Sequence, residues 1–259
     1  MSVIAQAGAK GRQLHKFGGS SLADAKCYLR VAGIMKEYSQ AGDMMVVSAA
    51  GSTTNQLISW LKLSQSDRLA AHQVQQSLRR YHTELIGGLV EPAAADTLIA
   101  AFIHDLERLA GLLDGGVSEA VYAEVVGHGE VWSARLMAAV LNQLGMEAAW
   151  LDARAFLRAE RAAQPQVDEG LSYPLLQQLM AQHPNKRLVV TGFISRNQAG
   201  ETVLLGRNGS DYSATQIGAL AGASRVTIWS DVAGVYSADP RKVKDACLLP
   251  LLRLDEASE

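Results

Sequence analysis

Residues 16–21 (KFGGSS) combine one cation, two glycines and two hydroxyl side chains. They follow the short apolar-alternating run 13–17 and precede a run of helical spacing from Leu22, which predicts a strand, a tight glycine turn and a helix. Glycines let a backbone approach a ligand closely, and the N–H groups that open a helix attract anions. The segment suits the phosphates of a nucleotide, although an ordinary strand–helix turn with an exposed lysine explains these six residues equally well.

Other segments rich in small, hydroxyl or charged residues also follow predicted strands, namely 48–54, 206–211 and 230–236. In a parallel α/β sheet, ligands bind beyond the carboxyl ends of the strands, so these segments should converge. Together with one helix carboxylate they supply two cations, three carboxylates and three hydroxyls: Lys16, Arg207, Glu130, Asp211, Asp231, Ser48, Thr54 and Ser210. Cations and amides that hold phosphates, with carboxylates that bind Mg²⁺ or orient a lysine, suit phosphoryl transfer.

Short apolar strands alternate with amphipathic helices along the chain, and these elements must position the chemical groups. The apolar pattern predicts strands at 13–17, 44–47, 148–152, 188–191 and 226–229, and a hairpin with its tip at 197–200. It predicts helices at 22–38, 56–63, 66–86, 92–113, 119–144, 173–182 and 212–221. Repeated βα units indicate a parallel sheet with helices on its faces.

The predicted helix 119–144 contains two glycines, Gly127 and Gly129, which flank His128 and precede Glu130. Two glycines inside a helix cost roughly 2 kcal/mol relative to alanine. We therefore expect either a close backbone contact at these glycines or a fresh helix start near His128.

Composition narrows the classes of function. The chain has 259 residues, 48% of them hydrophobic, and a net charge of −2, so no overall basic field favours nucleic acid or an anionic membrane as a partner. No apolar run reaches the ~20 residues of a membrane helix, and 1–12 read as a flexible leader without a signal peptide. Cys27 and Cys247 have no metal-type spacing and suit free thiols in a reducing cytoplasm.

Several common signatures are missing from the sequence. It has no Walker A motif, no protein-kinase motifs, no GxGxxG fingerprint and no nucleophile elbow. His72, His82 and His104 lack the spacing and carboxylate company of a zinc helix. We therefore assign no protein metal ligand.

Five blocks in order resemble the amino-acid kinase family, and within it the aspartokinases. They are residues 16–21, 46–55, 128–130, 192–212 and 229–241. The resemblance implies a three-layer αβα fold around a mainly parallel sheet, with an amino-acid-binding lobe at about 13–185 and a nucleotide-binding lobe at about 186–259. It is strongest to the kinase portion of bifunctional aspartokinase–homoserine dehydrogenases of the methionine pathway.

The chain length bears on this resemblance. Residues 254–259 read like the opening of a helix, so we expect a longer protein, homo-oligomeric at full length. Regulatory ACT domains and a dehydrogenase domain are not expected within these 259 residues.

The resemblance implies that ATP and Mg²⁺ serve transfer of the γ-phosphoryl group to the β-carboxylate of L-aspartate. Lys16 matches the lysine that neutralises the phosphoryl group, and Asp211 matches the aspartate that orients this lysine. Gly18, Gly19 and Ser20 match the loop near the phosphates.

Further roles follow from the same resemblance. Glu130 matches the carboxylate that meets the substrate's α-ammonium, and Arg207 matches the arginine that grips its α-carboxylate in a bidentate pair. Ser48, Thr54 and Ser210 match hydroxyls around the aspartate and the phosphoryl group.

A last group of residues, Ser230, Asp231, Tyr236 and Arg241, matches the nucleotide pocket. Departures from the family pattern near the site are small. Ser20 and Ser230 stand where threonine is usual, and Asn208 stands where glycine is usual, although asparagine tolerates a positive φ better than most residues. Two alternatives stay open: a kinase of acetylglutamate, glutamate or uridylate with the same fold, and a non-catalytic nucleotide-binding fragment of a larger bifunctional enzyme.

Overall fold

The computed structural model describes residues 11–230, 232, 234–240 and 242–252. The chain separates into a large unit, Met1–Ile228, and a small unit, Trp229–Glu259. Within the described residues, no helix is long and apolar enough to cross a membrane.

Seven strands form two sheets in the described residues. They are β1 Gln13–Phe17, β2 Met44–Val47, β3 Ala148–Leu151, β4 Arg187–Thr191, β5 Ile194–Arg196, β6 Thr202–Leu204 and β7 Arg225–Trp229. The main sheet has the order β3-β4-β2-β1-β7, while β5 and β6 form an antiparallel hairpin. The pairs β1/β2, β2/β4 and β3/β4 are parallel, as predicted, so the carboxyl ends of these strands lie at one edge.

Eight α-helices connect these strands in the described part of the chain. They are α1 Ala25–Tyr38, α2 Thr53–Ser64, α3 Arg68–Gly87, α4 Pro92–Asp114, α5 Glu119–Val126, α6 His128–Gln143, α7 Glu169–Gln182 and α8 Gly209–Leu220. Short 3₁₀ turns lie at Gly19–Leu22 and Ala153–Ala155.

Alternating strand residues give the sheet two buried faces. Leu14, Met44 and Val190 share one core cluster with Ala214 and Ile217 of α8. Helix α6 contacts β2, β3 and β4, and helix α8 contacts β1 and β2. Helices therefore flank a mainly parallel central sheet, which confirms the predicted fold class.

The predicted helix 119–144 is two helices. Helix α5 ends at Val126, and α6 begins at His128. A Cβ on Gly127 would lie 2.5 Å from Ile194 Cγ2, and one on Gly129 would lie 2.7 Å from Ala49 Cβ. Both expectations for these glycines are confirmed, because the helix restarts at His128 and each glycine is in close contact with a neighbouring segment.

The starts of five other helices, α1, α2, α3, α7 and α8, differ from the pattern-based limits by two to four residues. Helix α1 begins after Asp24, whose carboxylate accepts a hydrogen bond from the Cys27 N–H at 2.8 Å and caps the helix. Helix α8 begins at Gly209 rather than at 212. Consequently Ser210 and Asp211 lie in the first helical turn, where apolar periodicity gives no signal.

The small unit contains a short antiparallel pairing between Tyr236 and Leu248. The Ser237 N–H donates to the Cys247 carbonyl at 2.9 Å, and the Leu249 N–H donates to the Val235 carbonyl at 2.8 Å.

Candidate functional site

A pocket of about 310 Å³ opens at the carboxyl ends of β1 and β2. It is lined by residues from five segments of the large unit: Lys16, Gly18, Gly19, Ser48, Ala49, Gly51, Thr54, Glu130, Phe193, Gly206, Asn208, Gly209, Ser210 and Asp211. The predicted convergence of segments beyond the strand ends is therefore confirmed for the segments that follow β1, β2 and β6.

One cation lies at the pocket wall and is held by a carboxylate. Lys16, near the end of β1, is 8% exposed, and its Nζ lies 2.5 Å from Asp211 Oδ1. A buried ammonium needs such a partner, because desolvation without one is unfavourable. The pair fixes the ammonium at the pocket, where it can neutralise an anionic ligand.

The glycine turn after β1 lies directly against the loop after β2. A Cβ on Gly19 would be 2.8 Å from the Ala49 carbonyl oxygen, and the Gly51 N–H donates to the Gly19 carbonyl at 3.0 Å. Any larger residue at Gly19 would separate the two loops. The absence of a side chain here keeps the backbone of both loops beside the pocket.

Glu130 supplies a buried carboxyl group, and the part of the chain that the structure describes places no charged partner beside it. It lies in the first turn of α6 and is 3% exposed, and its Oε2 has no hydrogen-bond partner among the described residues. Burial raises the pKa of Glu130 to about 8, although hydrogen bonds from the Ala49 and Glu130 backbone N–H groups oppose the shift. A cationic group placed beside this carboxyl group would favour its ionised form.

Two pocket features were not predicted from the sequence. Phe193 lines the pocket with a φ of +66°, which is rare for an aromatic residue, and the Ile194 N–H bonds back to the Gly192 carbonyl at 2.7 Å. Behind the pocket, the buried His82 ring contacts Thr53 Oγ1 at 3.1 Å. The sequence carries only a weak signal for either feature, because both depend on contacts distant in sequence.

The structure brings eight of the predicted site residues into one pocket: Lys16, Gly18, Gly19, Ser48, Thr54, Glu130, Ser210 and Asp211. Ser20 and Arg207 are exposed and do not line it. Ser230 and Tyr236 belong to the small unit. Asp231 and Arg241 lie outside the described residues.

The parallel sheet and the lysine–carboxylate pair at its carboxyl edge define an α/β protein with a pocket suited to anionic ligands. A model of the Amino acid kinase family matches residues 11–259. The chain belongs to the amino acid kinase family.

Known relatives agree with this assignment. Bifunctional aspartokinase/homoserine dehydrogenase 2 of Escherichia coli (strain K12) is 86% identical over 259 residues, which is 100% of this chain and 32% of that protein. Lysine-sensitive aspartokinase 3 of Escherichia coli (strain K12) is 31% identical over 94% of this chain and 54% of its own length. The chain thus spans about a third of the first relative and about half of the second.

A solved structure shares the fold closely. The crystal structure of E. coli aspartokinase III in complex with aspartate and ADP matches with a TM-score of 0.83 and 28% identity, over 92% of this chain and 53% of that chain. An isopentenyl phosphate kinase structure matches with a TM-score of 0.53 at 18% identity, which shows the shared fold alone.

Proposed function

We propose that this chain is the kinase portion of a bifunctional aspartokinase–homoserine dehydrogenase. It transfers the γ-phosphoryl group of ATP to the β-carboxylate of L-aspartate. One observation carries the proposal: the pocket places the Lys16–Asp211 pair near a buried carboxyl group, Glu130, that has no cationic partner among the described residues. The relatives named aspartokinase and the aspartate and ADP complex of aspartokinase III support it.

Glu130 is the group that selects a free amino acid. Its buried carboxyl group would bind the α-ammonium of aspartate, and the charge of that ammonium would offset the desolvation that raises the pKa of Glu130. Arg207 would bind the α-carboxylate once its exposed guanidinium turns toward the pocket, where Ser48, Thr54 and Ser210 offer hydroxyls.

The reaction moves one phosphoryl group between two oxygens. A β-carboxylate oxygen of aspartate forms the new P–O bond as the bond to the β,γ-bridging oxygen of ATP breaks, which yields 4-phospho-L-aspartate and ADP. Lys16, oriented by Asp211, would offset the negative charge that the two anionic reactants bring together. Gly18 and Gly19 would place backbone N–H groups near the phosphates, together with the Ser20 turn.

The pocket chemistry fits ATP delivered with Mg²⁺. One cation and glycine-rich backbone suit phosphate oxygens, and Mg²⁺ is commonly held by those oxygens, waters and one or two carboxylates. Bound Mg²⁺ would supply charge neutralisation at the phosphates. The nucleotide roles of Ser230, Asp231, Tyr236 and Arg241 stay a proposal that rests on the sequence resemblance alone.

The biological setting proposed with this activity is a cytoplasmic enzyme of lysine, threonine and methionine biosynthesis, homo-oligomeric at full length. The 86% identity to a bifunctional aspartokinase/homoserine dehydrogenase supports the pathway class.

A hydroxylamine-trapping assay tests the proposal directly. The purified 259-residue chain is incubated with Mg²⁺-ATP in three parallel reactions, which contain aspartate, glutamate or acetylglutamate as the acceptor. We expect the acyl phosphate to be trapped with aspartate only. Turnover with glutamate but not aspartate, or ATP binding without any acyl phosphate, would contradict the proposal.

A further inference from the structure

A second carboxylate, Glu124, is partly buried, with a side chain that is 20% exposed. It lies on helix α5, six positions before Glu130. Its Oε2 accepts hydrogen bonds from Arg154 at 2.7 Å and from the Thr202 hydroxyl at 2.5 Å. Its Oε1 accepts one from Arg108 at 2.8 Å and lies 3.6 Å from His128 Nδ1. We call Glu124 with these four partners the Glu124 cluster.

The Glu124 cluster joins two segments that each contribute residues to the pocket or lead into it. His128 is the first residue of α6, and Glu130 follows it by two positions. Thr202 is the first residue of β6, which leads into the pocket-lining loop that begins at Gly206. A single carboxylate therefore contacts both the helix of Glu130 and the strand before the Arg207 loop.

An apolar contact at the same place holds these two segments together independently. A Cβ on Gly127 would lie 2.5 Å from Ile194 Cγ2 and 3.3 Å from Leu204 Cδ2. The junction of α5 and α6 is thus in direct contact with the β5–β6 hairpin, with no space for a larger side chain.

Ion pairs and hydrogen bonds fix Glu124 between helix α5 and strand β6. Burial alone would raise the pKa of Glu124, but the Arg154 charge and the bonds from Thr202 and Arg108 lower it to about 2. Arg154 is itself held by Asp152 through Nη2 at 2.6 Å, which ties the segment after β3 into the same network. Charge-assisted bonds of this kind fix geometry strongly in a buried setting.

We infer that Glu124 is a positioning residue for the acceptor side of the pocket, which sets Glu130 relative to the loop of Arg207 and thereby tunes recognition of the amino-acid substrate. The inference rests on the proposed aspartate kinase function. Since the cluster contacts neither Lys16 nor Asp211, the phosphate-binding side should respond little to its loss.

The test measures the KM values for aspartate and for ATP in Glu124→Gln and wild type. A small misplacement of a binding group can cost one to two orders of magnitude, so we expect the KM for aspartate to rise about tenfold or more while that for ATP changes less than about twofold. Glu119→Gln is the matched control, because Glu119 lies on the same helix with a 76% exposed side chain and only a 4.0 Å contact to Arg161.

A milder pair of variants covers the case in which Glu124→Gln does not fold. Thr202→Val removes the hydroxyl and keeps the shape, whereas Thr202→Ser keeps the hydroxyl. We expect Thr202→Val to raise the KM for aspartate about threefold or more, because the bond to Glu124 is lost. Thr202→Ser should keep a KM for aspartate close to that of wild type.

The outcomes separate this inference from the proposed function. If wild type neither binds nor phosphorylates aspartate, the proposed function is wrong, and the inference about Glu124 is then wrong as well. If wild type is active but the folded variants keep the wild-type KM for aspartate, or raise both KM values equally, Glu124 has no positioning role.

Discussion

Two glutamates six positions apart, the partly buried Glu124 and the buried Glu130, have opposite electrostatic surroundings in this fold. Glu124 is surrounded by Arg108, Arg154 and Thr202, and its pKa falls to about 2. Glu130 has no cationic partner among the described residues, and its pKa rises to about 8. The same type of side chain is therefore paired with arginines at position 124 and lacks such a pairing at position 130 among the described residues.

The difference teaches how a binding site is distinguished from a structural network. Breaking a fully paired buried charge destabilises a protein, because its partners are left unpaired. An unpaired buried carboxyl group, by contrast, already costs stability, and such a cost is characteristic of functional sites. The comparison predicts that perturbing the pocket changes activity most, whereas perturbing the Glu124 cluster changes stability and substrate placement.

The largest effect should come from the pocket's one buried cation. Lys16→Ala should lower kcat by about 10³-fold, since charge stabilisation of a transferring phosphoryl group is worth this much in related chemistry. The fold should persist, as the side chain contributes one ion pair to a partly exposed Asp211. Steady-state kinetics with circular dichroism measure both properties, and Lys36→Ala at the exposed end of α1 is the control. Near-normal turnover in Lys16→Ala would rule out this role.

The sharpest test of the comparison is a pair of stability changes with opposite signs. The folded pKa of Glu130, about 8, exceeds its ordinary value of 4.5, so the folded state loses stability as pH rises from 4.5 through 8. Glu130→Gln should therefore raise the free energy of unfolding, on the order of 3 kcal/mol at pH 7, with little difference near pH 4.5.

Glu124 should behave in the reverse sense. Its folded pKa of about 2 lies below 4.5, so its contribution is present above pH 4.5 and disappears as pH falls through 2. Glu124→Gln should lower the free energy of unfolding at pH 7, on the order of 3 kcal/mol. Urea unfolding of both variants at pH 4.5 and pH 7 measures the contrast, and changes of equal sign would break it.

A smaller effect concerns the pH dependence of aspartate binding. Below pH 8 the free Glu130 carboxyl group is protonated, and binding of an ammonium group must release this proton. The affinity for aspartate should thus rise about tenfold per pH unit from pH 6 and level off near pH 8. Isothermal titration calorimetry in buffers of different ionisation enthalpy would detect the released proton. Glu130→Gln should remove the slope, and Glu119→Gln should keep it.

The comparison also explains what the sequence could and could not predict. Strand β2, Met44–Val47, has the predicted limits. A short continuous apolar run is typical of a parallel strand that is buried on both faces. Glu130 was assigned from a local motif with flanking glycines. Glu124 carried no such signal, since its partners Arg154 and Thr202 come from segments 30 and 78 positions away. Local patterns predict elements and loop motifs, whereas networks assembled by the fold need the structure.

The smallest predicted effect concerns the backbone of the pocket loop at Asn208. Substitutions there test whether this loop depends on an unusual backbone conformation. Asn208 has a φ of +56°, a conformation that asparagine adopts more readily than most residues other than glycine. Asn208→Ala should lower the free energy of unfolding by about 1 kcal/mol, because a Cβ is unfavourable at positive φ unless the side chain can bond locally. Asn208→Gly should stay within about 0.5 kcal/mol of wild type.

Asn185 provides the matched control for this last prediction. It has a φ of +65° in the turn before β4, at the opposite end of that strand from the pocket. Asn185→Ala should cost about as much stability as Asn208→Ala, since the backbone requirement is the same. Only Asn208→Ala should also raise the KM for aspartate, because Asn208 lines the pocket and precedes Ser210 and Asp211 in the first turn of α8. If both variants raise that KM alike, the effect is one of global stability, and the pocket loop has no special dependence on its backbone.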